Sequence, residues 1–430
     1  MSRPLDTRAN FARWRMAAGL VWLCCAPLAH AQQWTVKVLH PPGTLASWIE
    51  GMDQGQQIGV AVVDGDLTAA IWTGSVASYI NLNPDGSTES RAFSAQAGRQ
   101  AGYNDSTGSY TATLWNGAPN AWVNLHPAGA VESRAYGVRD GKQVGVAVFG
   151  VQSCAGLWNG TSASWVNLHP AGAQWSRAYS VAGTQQVGWA RYGGHQHASL
   201  WTGSAATHVD LAPAGSTDSW ALCVHAGQQV GYTIIGGAWH ASLWAGSAAS
   251  WVDLSPAGSS MSYAQGVYAG RQVGFATFGG QDRAIMWAGS AASAVDLHAF
   301  LPAGVYSSSA AGAIWSDETV VQVGGRAINA TTGVYEAVLW TLSLVAAPGC
   351  VMDYDGNGQL NPDDLGDFIT DYYTVPPVAG PGGYAAACAG NEPPYDAGYK
   401  AAYTVDGSGQ CDAPFPDNLG DYITAYYQGC

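Results

Sequence analysis

Leu243-Trp244-Ala245-Gly246-Ser247-Ala248-Ala249-Ser250-Trp251-Val252-Asp253-Leu254-Ser255-Pro256-Ala257-Gly258 is one copy of a phrase that recurs along most of the chain. Its first tryptophan reappears at Trp72, Trp115, Trp158, Trp201, Trp244 and Trp287, each 43 residues after the last, and at Trp340 after a further 53. A fixed period of about 20–50 residues marks a solenoid or a propeller, because a single unit of that size cannot bury its own apolar face.

One unit can be read from Ser133 onward. Ser133–Val138 alternates and ends at the turn Asp140-Gly141; Gln143–Val148 alternates again before Gly150. Ala155–Trp158 leads to Asn159-Gly160, and Ala163–Leu168 closes the unit before Pro170-Ala171-Gly172. Four short strands with turn residues between them, in 43 residues, are the size of one propeller blade. The segment Trp34–Gly43 matches the fourth strand and turn of a unit, as in Trp122–Gly129, whereas the last unit reaches its third strand at Trp340. The N-terminal strand is therefore expected to complete a seventh blade and hide the ring's sheet edges. The fold class expected is an all-β, seven-bladed β-propeller with a small α-helical calcium-loop module behind it. An open β-solenoid or a two-sheet sandwich is the alternative, and the split blade favours the ring. The 10 extra residues of the last unit read as longer loops between Leu297 and Trp340.

Composition agrees. The 430 residues include 56 Gly, 19 Trp and 21 Tyr with 11% charged side chains, which suits short strands and tight turns. A net charge of −14 leaves no basic face, so nucleic acid is not an expected partner. Arg3, Arg8, Arg13 and Arg15, the apolar run 16–28 and Ala29-His30-Ala31 read as a signal peptide over 1–31, cleaved after Ala31, for a secreted or cell-surface protein. No transmembrane segment is expected, since no other run approaches about 20 apolar residues. A monomer is the expected state.

Positions that repeat read as structure. The tryptophans are core anchors, each covering some 150–250 Å². The second-strand glycines Gly59, Gly102, Gly145, Gly188, Gly231, Gly274 and Gly324 suit close sheet-on-sheet approach. Asn81, Asn124, Asn167, Asp210, Asp253 and Asp296 are expected to bond loop backbone. His195, His197 and His240 read as remnants of the repeat, and Cys154 and Cys223 as buried free thiols. Positions that differ are better candidates for function. One first-strand site reads Trp48, Arg91, Arg134, Arg177, Trp220, Tyr263. If that strand lines the central channel, three arginines face aromatic rings, a set that stacks on sugars and forks onto carboxylate or sulfate. The expected ligand is an acidic polysaccharide or cell-surface glycan. The competing reading pairs Glu89 with Arg91 and Glu132 with Arg134, two apart on one strand face. No nucleophile elbow, Cys/His pair or phosphate loop is present, so no catalytic residue is assigned.

Gln229-Val230-Gly231-Tyr232 and His240-Ala241-Ser242-Leu243-Trp244 resemble the bacterial extracellular "HAF" repeats over residues 34–344. That resemblance implies an exported propeller-like protein and no particular activity.

Residues 350–430 carry 12 acidic side chains and one basic. In Asp353–Asp364, oxygen donors Asp353, Asp355, Asn357, Gln359, Asn361 and Asp364 fall at the positions of a calcium loop, with Gly358 at its glycine position. Leu365, Phe368, Ile369 and Tyr372 then form one helical face. A second, weaker loop uses Asp406, Ser408, Gln410, Asp412 and Asp417, or a register running from Thr404 to Asn418. Cys350, Cys388, Cys411 and Cys430 allow three disulfide connectivities, of which Cys350–Cys430 with Cys388–Cys411 is favoured. Two Asp-rich loops, each followed by a helix, resemble a type I dockerin, which implies calcium as cofactor and a cohesin-like or surface scaffold partner. The expected organisation is a signal peptide (1–31), propeller (32–345) and calcium module (346–430). The expected function is an exported non-catalytic binding or structural protein; the alternative is a secreted carbohydrate-active enzyme, a glycoside hydrolase or lyase.

Overall fold

A computed structural model describes residues 34–344 apart from 107. The expected signal peptide, both calcium loops with their helices, and the four tail cysteines lie outside the described residues. Alternating apolar residues and Gly-rich turns form seven four-stranded antiparallel sheets. Blade 1 comprises Ala46–Asp53, Gln56–Val63, Asp66–Trp72 and Ile80–Asn81. The inner strands of blades 2 to 6 are Ser90–Gln96, Glu132–Arg139, Ser176–Ala182, Asp218–His225 and Met261–Tyr268. Blade 7 takes Tyr306–Ser316, Val320–Asn329 and Tyr335–Ser343 from the end of the repeat region, and Trp34–Val38 from its beginning. Trp34 lies opposite Leu342 and Val38 opposite Val338, so the expected strand closes the ring.

All seven anchor tryptophans are fully buried. They sit between blades: Trp201 of blade 4 packs on Val144, Ala155 and Leu168 of blade 3, and Trp244 of blade 5 on Val187, Ala198 and Leu211 of blade 4. At about 25 cal/mol per Å², each ring contributes roughly 4–6 kcal/mol before the loss of side-chain entropy. A buried serine joins each pair of neighbours. Ser47, Ser90, Ser133, Ser176, Ser219, Ser262 and Ser309 accept the third-strand N–H of the preceding blade, from Ala337, Ala69, Ala112, Ala155, Ala198, Ala241 and Ala284, at 2.8–3.0 Å. The bond from Ala337 to Ser47 closes the circle.

The Asn/Asp series behaves as expected. Each Oδ1 accepts the N–H two residues on, in Asn83, His126, His169, Ala212, Ser255 and His298, at 2.7–2.9 Å. A second role explains the choice of residue. The aspartates at 210, 253 and 296 pair through Oδ2 with His197, His240 and Arg283 at 2.7, 2.8 and 2.9 Å. Where asparagine stands instead, the matching third-strand residue is the uncharged Thr68, Thr111 or Cys154. His197 and His240 therefore hold the fourth-strand aspartates in place and are more than repeat remnants. Cys154 and Cys223 are both free.

Three expectations change. The fourth strands are mostly two residues long, because the run before them coils into a 3₁₀ turn such as Ser162–Ser164. Ser164 Oγ holds that turn by donating to the Thr161 carbonyl and accepting from the Asn159 N–H. The added residues of blade 7 go into longer strands and the turn Leu297–Phe300 as well as loops. The seventh glycine is Gly325, opposite Ala311, and Gly324 is shifted one step from it.

Candidate functional site

In each inner strand the register slips by one residue opposite the second-strand glycine. The extra residue of this bulge is Glu50, Phe93, Tyr136, Tyr179, Leu222, Gln265 and Gly312 in blades 1 to 7. All seven line a central cavity of about 380 Å³. That lies within the range of about 300–1,000 Å³ usual for small-ligand sites. A bulge bends its strand and re-aims a side chain. Here it tips the carbonyl two residues earlier across the ladder, so a Cβ on the facing glycine would lie 1.8–2.1 Å from that oxygen. The glycines answer to their own blade's bulge rather than to the approach of a neighbouring sheet.

The bulge residues lie two positions along the same strand face from position 48 and its copies, and it is they that line the cavity in every blade. Of the residues expected to form the ring, Arg91 and Tyr263 are among the cavity's lining residues. Trp48, Arg134, Arg177 and Trp220 occupy the equivalent strand positions outside that lining. Arg91 is ion-paired with Glu50 of the preceding blade, not with Glu89, and Trp48 Nε1 donates to the same carboxylate at 2.7 Å. Glu89 instead accepts from the hydroxyls of Tyr103 and Tyr110 at 2.6 and 2.8 Å. Burial, and then that carboxylate, push the Tyr103 phenol well above its usual range. Arg134 does pair with Glu132, at 3.2 Å, and lies 4.4 Å over Tyr110.

Arg177 lies 5.6 Å from the Trp189 ring, and its Nε, like those of Arg91 and Arg283, is buried with no described acceptor. Arginine ion pairs among the described residues are Arg91–Glu50, Arg134–Glu132 and Arg283–Asp296, which leaves the Arg177 charge uncompensated. Beside it, blades 5 and 6 present near-parallel rings: Trp220 on Tyr232 at 4.4 Å, Tyr232 on Trp239 at 4.8 Å, Tyr232 on Tyr263 at 4.3 Å. Phe275 extends the stack at 5.5 Å from Tyr263. Burial raises the Tyr232 and Tyr263 phenols above their ordinary range, so both stay neutral and donate. The second-strand aromatics escaped the sequence reading. Their signal was present: Tyr103, Trp189, Tyr232 and Phe275 each follow the repeat glycine directly.

At the other end of the inner strands Arg139 of blade 3 reaches across the channel, its guanidinium 5.4 Å from the ring centre of Tyr268 in blade 6. Tyr268 stacks on His225 of blade 5 at 4.2 Å. Burial, then the Arg139 charge, hold His225 below its usual range, and its Nδ1 accepts the Ala269 N–H at 3.2 Å.

No family model matches the chain, and no curated protein matches it. Several solved structures resemble it. The β-propeller domain of the Trilobed protease from Pyrococcus furiosus is 12% identical with a TM-score of 0.48, the match covering 70% of this chain and 98% of that one. A puromycin-hydrolysing peptidase of Mycobacterium tuberculosis is 14% identical with a TM-score of 0.47, over 71% and 55%. An acylaminoacyl peptidase of Pyrococcus horikoshii is 12% identical with a TM-score of 0.46, over 70% and 53%. The chain thus spans about half the length of these two peptidases, and the likeness is one of fold. These matches correct the expectation of an exported non-catalytic binding protein, and that of a glycoside hydrolase or lyase. The β-propeller is the fold that the chain shares with the Trilobed protease domain.

Proposed function

We propose that the propeller admits peptides at the end of its channel ringed by position 48 and its copies, as the substrate-receiving part of a peptide-processing protein. The observation that carries this reading is Arg177, a guanidinium with no ion pair among the described residues, beside the stacked wall that Trp220, Tyr232, Trp239 and Tyr263 form on the next two blades. A guanidinium in that setting takes a carboxylate, and a charge-assisted hydrogen bond contributes about 1.5–3 kcal/mol. The aromatic wall takes an apolar or aromatic side chain by stacking, at about 0.5–1.5 kcal/mol beyond area burial. Calorimetry of the full chain with the pentapeptide Ala-Glu-Ala-Ala-Phe tests it. Arg177→Gln is expected to weaken binding about ten- to a hundredfold, and unchanged affinity refutes the assignment.

We propose also that the chain is exported and that Asp353, Asp355, Asn357, Gln359, Asn361 and Asp364 hold a calcium ion. The spacing of their oxygens supports this, since a flexible loop of hard donors suits that ion. Calcium titration of the full chain against an Asp353→Asn, Asp355→Asn variant is expected to lose one binding event. An identical titration curve refutes the site.

A further inference from the structure

The end of the channel that Arg139 crosses says which part of a peptide can enter. We propose that the cavity is a blind cup that reads peptides by their C-terminus, with Arg139 receiving the terminal carboxylate; this rests on the peptide reading above. Positions equivalent to 48 through 53 on the inner strands carry the cup from mouth to floor, a depth of about 16 Å. At the floor Arg139 crosses the axis to Tyr268, and Tyr268 is backed by His225. An internal stretch of polypeptide would have to leave through that floor, whereas a chain end need not.

Charge decides which end. Among the residues lining the cavity the one carboxylate is Glu50, and it is already engaged by Arg91 and by the indole of Trp48. The lining guanidiniums are Arg91 and Arg139, and Arg139 forms no ion pair among the described residues. An ammonium group in the cup would meet a cation at the floor and no open carboxylate. A carboxylate would meet a planar fork of donors beside the ring of neutral side chains Tyr136, Tyr179 and Gln265. Aromatic and aliphatic bulge residues, Phe93 and Leu222, complete a wall suited to the last side chain of the peptide.

The test uses the full chain, three peptides and calorimetry: Ala-Glu-Ala-Ala-Phe as free acid, as C-terminal amide, and as N-acetylated acid. Expected results are equal affinity for the two acids and at least tenfold weaker binding of the amide. Arg139→Gln should bind acid and amide alike, and Arg139→Lys should restore part of the preference. Arg177→Gln should weaken acid and amide by the same factor. If wild-type protein binds amide as tightly as acid while Arg177→Gln still weakens both, end-reading fails and peptide admission survives. If no peptide binds, both readings fail.

Discussion

Replacing Gly145 by alanine tests whether the bulge builds the site. A Cβ there would lie 1.9 Å from the Arg134 carbonyl oxygen and 2.9 Å from the Ala135 Cα. Tolerable contact begins at 3.0–3.4 Å, so the two strands must part by more than 1 Å or the bulge must flatten. Overpacking of this kind costs about 1–3 kcal/mol. Losing one or two ladder hydrogen bonds adds about 0.5–1.5 kcal/mol each. The expected total is therefore about 1.5–6 kcal/mol. Gly141→Ala is the control: its φ of 75° is unfavourable to a side chain, but nothing lies within 4 Å. Left-handed backbone alone costs about 1–2 kcal/mol there. Urea unfolding followed by far-ultraviolet circular dichroism gives the difference from the midpoints. Flattening the bulge also swings Tyr136 out of the cavity, so Gly145→Ala should lose peptide affinity that Gly141→Ala keeps. Equal midpoints and equal affinities for the two variants would refute the reasoning.

Ser176→Ala leaves the buried Ala155 N–H and His169 Nδ1 without their partner at the joint of blades 3 and 4, and should lower stability by about 1–3 kcal/mol; a loss below 0.5 kcal/mol in urea melts would deny the serine ring its role. For the part-exposed pair His240–Asp253, a double-mutant cycle with His240→Thr and Asp253→Asn should give a coupling of about 0.2–1 kcal/mol, with the double variant recovering toward wild type; additive losses would contradict the charge-matching of the repeats. The Gly183 N–H, ahead of a smaller opposing effect of burial, holds the Asp140 carboxyl below the usual carboxylate range. Its contribution is therefore complete above that range and lost as pH falls through the lowered value. Asp140→Asn should melt below wild type at pH 7 and converge with it near pH 2; a gap that persists in acid would show that the charge is not the cause.

Much of the architecture can be read from spacing alone. Trp72 and its successors mark the blades, and the likeness of Trp34–Gly43 to Trp122–Gly129 exposes the split blade, because one side-chain volume must recur at each interface between blades. The cavity lining cannot be read by the same rule. Period-two alternation puts positions 48 and 50 on one face and does not say which of them, with its copies, lines the cavity in every blade. The glycines signal the bulge, yet glycine in a strand has several causes, and only the facing carbonyl distinguishes them. The inter-blade serines had a signal too: a serine stands 14 residues before Ala61, Ala147, Ala190, Thr233 and Ala276, where alternation marks only a buried position. Arg139 could not be found from sequence, since its contact with Tyr268 joins blades three apart around the ring.

The most direct measurement of the central claim is photo-cross-linking of the full chain with Ala-Glu-Ala-Ala-benzoylphenylalanine, followed by mass spectrometry of the labelled fragments. The account predicts label on the fragments that carry Tyr136, Tyr179 or Leu222, competed away by unmodified peptide and reduced in Arg177→Gln. Label confined to the outer edges of the blades, or label that unmodified peptide does not compete, would contradict it.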